Sequence, residues 1–243
     1  MGTRSQEPEG PVAAQPEYII YGQEIVEHRR SPYQSIVIAH DPSVGHLLYL
    51  DDDLQIADAD EPYNQALVGP LRDAGCLRRV LILGGGDGGV LKRAVHSGAE
   101  RAVLVDIDQE VIDLSRQYLP NLCGDAFEHP RAEVVVGDAF AYLDRDERWS
   151  GIVYDLTMEP VGAGESRMAF IHQILGKVAR RLAPGGMMTM QACGADQPEL
   201  RAAIREGLAG AFAEWGDWEA DIPSYDVPWV FAWGSVPTGE RQD

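Results

Sequence analysis

Between residues 78 and 235, short apolar runs rich in Val, Ile and Leu alternate with longer stretches whose apolar side chains recur every three or four positions. The first pattern suits a strand buried on both faces and the second an amphipathic helix. "RRVLILGGG" reads as a buried strand running into a glycine turn, and "GGVLKRAVHSG" as a helix closed by Gly98. "RAVLVDID" and "QEVIDLSRQYLPNL" repeat the strand and the helix, and "RAEVVVGDAFAYL" is a strand entering a helix. "SGIVYDL" is a fourth strand, "RMAFIHQILGKVARRLAPGG" a long helix and "MMTMQAC" a fifth strand. "QPELRAAIREGLAGAF" is a last helix, before strands near 217–235. The series predicts an α/β fold with a doubly wound parallel sheet.

Residues 18–57 differ. "YIIYGQEIVEHRR", "YQSIVIAH" and "HLLYLDDDLQIA" are rich in Ile, Val, Leu and Tyr and are separated by turn-prone "SP" and "DPSVG". They predict a small β unit. A helix around "EPYNQALVGPLRDAG" follows, with Pro62 tolerated in its first turn. The termini "MGTRSQEPEGPVAAQPE" and "PTGERQD" lack any such period. The expected organisation is a disordered 1–16, a β-rich unit at 17–76, a catalytic unit at 77–236 and a flexible tail at 237–243.

Composition narrows the partners. A chain of 243 residues that is 45% hydrophobic can build a sizeable core. Its formal net charge of -19 argues against nucleic acid, whose phosphates need Lys and Arg, and is compatible with cationic substrates such as amines. Three cysteines without a CxxC pair suggest no zinc site and fit a reducing cytoplasm. No apolar run approaches the length of a membrane span, and the N-terminus has no apolar signal core, so a cytoplasmic protein without a membrane partner is expected.

Chemistry concentrates where the strands end. In an open α/β sheet, ligands bind beyond the carboxyl ends of the strands. Four consecutive strands end in acid here: Asp87, then Asp106 and Asp108, then Asp138, then Asp155. Asp108 and Asp138 can also serve as caps of the helices that follow them. Gly84, Gly86 and Gly89 satisfy G-x-G-x-x-G, with Asp106 about 20 residues past the start of the loop, so a nicotinamide cofactor is a formal candidate. Asp87 in the middle of that loop would repel a pyrophosphate. A positively charged nucleoside without phosphate fits better, and S-adenosylmethionine and its decarboxylated form are both such ligands.

The blocks "RRSPYQSIVIA", "GHLLYLDDDLQIADADEP", "VLILGGGDGGVLKRAV", "VLVDIDQEVIDLSRQYLP", "RAEVVVGDAFAYL", "LAPGGMMTMQ" and "IPSYDVP" resemble, in order, those of the spermidine synthases, the polyamine aminopropyltransferases. The resemblance implies a Rossmann-like fold of the S-adenosylmethionine-methyltransferase type and transfer of an aminopropyl group from decarboxylated S-adenosylmethionine to a di- or polyamine, releasing 5′-methylthioadenosine without a metal. It also implies roles. The loop residues Gly84, Gly86 and Gly88 would approach the nucleoside, with Asp87 on the terminal amine of its aminopropyl chain. Asp106 with Ile107 would bind the ribose side, Asp138 with Ala139 the adenine, and Gln34 would help hold the nucleoside. Asn64, Gln65, Gln191, Tyr225 and Glu159 fall to the acceptor side, and Asp155 to the general base. A homodimer or homotetramer is implied as well.

The general-base role also follows from chemistry. An acceptor amine with a pKa near that of lysine, about 10, is mostly protonated at neutral pH, and a carboxylate within reach can take its proton. The acceptor half departs from the family pattern. The gatekeeping loop reads "DLTMEPVGAGES", with Glu159 one residue later than the family's second acid, and Arg167 and Met168 stand where Leu-Phe is usual. In "DEPYNQ" the family's tyrosine position is Asn64, and Tyr63 lies one place earlier, so either the register shifts or the pocket loses an aromatic wall. These departures keep open a methyltransferase acting on intact S-adenosylmethionine, and a non-catalytic nucleoside binder.

Overall fold

The computed structural model describes residues 23–156 and 166–239. The segments 1–22, 157–165 and 240–243 lie outside the described residues, and with them Glu159 and the terminal stretch 1–16.

Strands β1 (Glu24–Arg30), β2 (Ser35–Asp41), β3 (Gly45–Leu50) and β4 (Asp53–Ala57) form an antiparallel sheet in chain order. The run "HLLYLDDDLQIA" thus folds as two strands rather than one. Asp51 and Asp52 take φ of 45° and 76° between the paired residues Leu50 and Asp53. Two consecutive positive φ values make the two-residue hairpin turn whose twist matches the strands, and Asp tolerates them better than most residues.

Helix α1 (Glu61–Asp73) follows, then β5 (Arg79–Gly84), α2 (Gly89–His96), β6 (Arg101–Asp106), α3 (Gln109–Tyr118) and α4 (Pro120–Cys123). The expected single helix at 109–122 breaks at Leu119 (φ -115°, ψ 42°), because Pro120 cannot donate the next helical hydrogen bond. Next come β7 (Ala132–Val136), α5 (Ala139–Tyr142), β8 (Trp149–Asp155), α6 (Arg167–Arg181), β9 (Leu182–Gly194), α7 (Pro198–Ala211), β10 (Glu214–Ala220) and β11 (Trp229–Ser235). Helix α6 stops at Arg181, and "LAPGG" belongs to β9. Pro184 lacks an N–H and biases the residue before it to extended backbone, which ends the helix earlier than its apolar period suggests.

The large sheet has the order β10-β11-β9-β8-β5-β6-β7. The five strands from β9 to β7 are parallel, and β11 and β10 add an antiparallel edge to the expected parallel sheet. The chain runs outward from β5 through β6 to β7, then returns to place β8 on the other side of β5. The reversal point lies between β5 and β8, where Gly84 pairs with Asp155. A doubly wound sheet opens a ligand crevice at this point, since the connecting loops diverge there.

Alternating side chains divide the core between the two faces. Val80, Ile82, Ala102, Leu104 and Val153 pack toward α1 and α2, whereas Leu81, Leu83, Val103, Val105 and Tyr154 pack toward α6 and α7. Ile36, Ile38, Leu48 and Ile56 of the small sheet join the first of these cores. The β unit is therefore fused to the large sheet through shared apolar packing, which holds its polar turn residues in fixed positions over the strand ends.

Candidate active site

The glycine turn occupies the crevice. Gly85 has φ +70°, and a Cβ there would stand 2.9 Å from Asp155 Oδ2. A Cβ on Gly86 would stand 2.8 Å from Asp106 Oδ2. These two glycines leave room for acids from the flanking strands β8 and β6. The Gly86 N–H donates to Asp106 Oδ2 at 3.0 Å, and the Asp108 N–H donates to Asp106 Oδ1 at 2.9 Å. Gly84 ends β5 beside Asp155, and Gly88 is the residue from which α2 starts.

Asp87 is buried and accepts the Gly89 N–H at 2.8 Å. Burial pushes its carboxyl well above the usual range, and the charge of Asp155 pushes it further. Asp155 remains partly accessible on the floor of the crevice, yet loss of solvation raises it too, with a further push from Asp106. Asp106 is likewise raised by burial, against the pull of its backbone hydrogen bonds. The crevice is a field of one sign, and the groups that raise one another are all acids.

Tyr63 is the residue that reaches Asp155. Its hydroxyl donates to Asp155 Oδ1 at 2.5 Å, and burial holds that hydroxyl well above the ordinary tyrosine value, so it stays a neutral donor. Asn64 turns the other way. It is fully buried against α2, where a Cβ on Gly89 would come within 2.7 Å of its amide, and neither amide atom has a hydrogen-bond partner. The aromatic wall is therefore retained one position earlier than direct counting gives. Gln65 is half-buried, and its amide lies along α1 over Gly69.

Tyr225 stands opposite Tyr63, edge to face with ring centroids 6.3 Å apart, and also meets Trp229 at 5.1 Å. Its hydroxyl donates to the Gln55 carbonyl at 2.5 Å. Gln191 on β9 donates from Nε2 to the Leu156 carbonyl at 2.7 Å and accepts from Trp229 Nε1 at 3.1 Å. Tyr63 and Trp229 bond to Asp155 and Gln191, and the sequence reading selected neither. The tyrosine was visible in "DEPYNQ", whereas no spacing marked the indole.

On the other side, Asp108 caps α3 by accepting the Glu110 N–H, and it also accepts Ser31 Oγ at 2.6 Å and Gln34 Nε2 at 2.9 Å. Gln34 thus docks on the acid next to Asp106. Asp138 is exposed and caps α5, accepting the N–H groups of Phe140 and Ala141, while Ala139 is buried. Ile107 and Val136 are exposed apolar side chains at the ends of the neighbouring strands β6 and β7. Arg167 opens α6 behind the cap Ser166, next to the undescribed segment that contains Glu159. Among the described residues, no group of three or more His, Cys, Asp or Glu has metal-holding geometry.

A doubly wound sheet with a glycine turn, an acid-lined crevice at the strand-order reversal and an antiparallel β unit fused ahead of it defines a Rossmann-like α/β protein. The model of the spermine/spermidine synthase domain matches residues 62–234. The chain belongs to the spermine/spermidine synthase family. It is 36% identical over 216 residues to a polyamine aminopropyltransferase of Pyrobaculum calidifontis, covering 86% of this chain and 74% of the relative. It is 35% identical over 222 residues to polyamine aminopropyltransferase 1 of Pseudomonas aeruginosa, covering 88% and 76%. Among solved structures, it resembles a spermidine synthase in complex with the transition state analogue AdoDATO, with a TM-score of 0.77 at 21% identity, covering 88% of this chain and 73% of that one. The spermidine synthase of Thermotoga maritima gives the same TM-score at 19% identity.

Proposed function

We propose that this protein transfers the aminopropyl group of decarboxylated S-adenosylmethionine to a di- or polyamine and releases 5′-methylthioadenosine. The observation that carries the reading is the trio Asp87, Asp106 and Asp155: burial raises all three carboxyls, Asp155 and Asp106 push Asp87 further, and Asp106 pushes Asp155. Buried carboxylates of one sign are stabilised by a cationic ligand, and both proposed substrates are cations at neutral pH.

The donor's nucleoside lies over the β5–β6 edge. Asp106 receives the ribose hydroxyls, Ile107 and Val136 offer apolar surface to the base, and Ala139 with Asp138 closes that end. Asp87 faces the ammonium of the aminopropyl chain and favours it over a phosphate. The acceptor amine enters alongside the Tyr63–Tyr225 pair, toward Asp155.

Asp155 takes the proton of the acceptor ammonium. Its raised basicity suits that task, because a base is more effective the nearer its pKa lies to the working pH. The freed nitrogen attacks the carbon bonded to the sulfonium. The new C–N bond takes the nitrogen lone pair, and the C–S bond breaks with its electron pair going to sulfur. The leaving group is a neutral thioether, and the two protons left on the nitrogen stay on the product as a secondary ammonium. Tyr63 fixes the carboxylate's orientation while its other oxygen faces the amine, and alignment of nitrogen, carbon and sulfur supplies much of the acceleration.

The test pairs binding with turnover. Asp155→Asn lowers kcat by about 10²–10⁴-fold, the usual worth of a general base, while methylthioadenosine binds as in the wild type. Full activity in Asp155→Asn would overturn the base assignment.

A further inference from the structure

Asp60 has no part in the chemistry above, yet its carboxylate accepts three hydrogen bonds near the crevice. It is fully buried between α1 and the β10–β11 loop. Its Oδ2 accepts the Ala57 N–H at 2.7 Å and the Ser224 hydroxyl at 2.5 Å, and its Oδ1 accepts the Ser224 N–H at 3.1 Å. Its own carbonyl accepts the Tyr63 N–H at 2.9 Å. One residue therefore holds the Tyr63 N–H and the residue just before Tyr225. Those two rings pack edge to face, and the Tyr63 hydroxyl sits on Asp155. The Tyr225 hydroxyl is tied to the Gln55 carbonyl on β4, which places that ring against the same junction.

We infer that Asp60, acting through Ser224, is a positioning residue that sets how Tyr225 packs against Tyr63 and thereby the amine acceptor the crevice prefers. The inference deepens the proposed function and rests on it for its catalytic readout. The geometry separates it from ordinary helix capping. Asp60 stands at the N-cap of α1, but its side chain bonds no N–H of that helix; both oxygens are turned to Ala57 and Ser224 instead. What those bonds fix is the distance between two elements 164 positions apart in the chain.

Ser224→Ala removes the hydroxyl and leaves the loop backbone in place, and Ser224→Thr restores a hydroxyl. The expected result for Ser224→Ala is a KM for the amine raised about tenfold, the scale of one hydrogen bond to a charged group, with the donor KM unchanged. The preference among three-, four- and five-carbon diamines should shift, and Ser224→Thr should recover most of it. A readout free of catalysis accompanies this. In Ser224→Ala and Asp60→Asn, amide hydrogen exchange should rise together in residues 221–228 and in the first turn of α1. A lower melting temperature with unchanged acceptor KM and diamine preference would overturn the inference. So would faster exchange confined to residue 224. If the wild-type protein turns over no amine, the proposed function fails, and the exchange pattern still decides whether Asp60 couples the two walls.

Discussion

At the scale of single residues, the unusual feature is a pair of acids held where neither is comfortable ionised. A carboxyl whose pKa is raised by folding keeps its proton in the folded state after the unfolded chain has released it. Stability from such a group is present at low pH and is lost as pH rises from the ordinary carboxylate range through the raised value. Asp87 and Asp155 both have this sign. The unliganded protein should therefore lose melting temperature between mildly acidic and mildly alkaline pH. Asp87→Asn should flatten that slope and make the empty protein more stable, while weakening the amine-bearing donor far more than methylthioadenosine. Melting curves across pH, with and without each ligand, check both halves; a slope as steep in Asp87→Asn as in the wild type would contradict them. Donor binding should also release protons, because the incoming ammonium restores the ionised form of Asp87. Calorimetry in buffers of different ionisation heat measures that release. Tyr63→Phe removes one hydrogen bond to a charged group, worth about 1.5–3 kcal/mol, and should lower kcat by about one to two orders of magnitude with little change in donor affinity. Parallel steady-state kinetics on both substrates resolve the two effects.

At the scale of elements, the site is assembled from pieces distant in sequence. The turn between β1 and β2 supplies Ser31 and Gln34, which grip Asp108; Asp108 in turn donates its N–H to Asp106, which holds Gly86. Ser31→Ala should raise the donor KM and leave the acceptor KM alone, the reverse of Ser224→Ala, as kinetics with each substrate varied will show. The strand-end acids were legible in the sequence because strand and glycine-turn signals fix which side chain ends each strand. Asp87, Asp106 and Asp155 fall at the crevice for that reason. The cap roles of Asp108 and Asp138 were legible too, since each precedes a helix by one position. The phase of α1 was not. A one-position offset turns a helical side chain by about 100°, so Tyr63 reaches Asp155 while Asn64 faces Gly89, and no local pattern separates the two. The contact of Gln34 with Asp108 spans 74 positions and the bond of Trp229 to Gln191 spans 38. Spacing rules do not reach that far. The β3–β4 hairpin escaped for another reason: three aspartates in a row give no sign of which two take positive φ.

At the scale of the whole molecule, charge and topology act together. A net charge of -19 draws cations toward the surface, and a crevice lined by acids focuses that field on the strand ends. Association of a multiply charged amine should weaken as salt is added, since charges beyond about 10 Å are screened near 0.1 M. The kcat/KM for a triamine should accordingly fall more steeply with ionic strength than that for a diamine. The edge strand β1 keeps Ile25 and Val26 exposed. No described helix is long and apolar enough to cross a membrane. The central claim is the identity of the transferred group, and one measurement reaches it directly. The protein is incubated with decarboxylated or with intact S-adenosylmethionine, each with a panel of di- and polyamines, and the products are weighed by mass spectrometry. The account predicts methylthioadenosine and an amine heavier by one aminopropyl group, from the decarboxylated donor alone. S-adenosylhomocysteine with a methylated amine, from the intact donor, would contradict it.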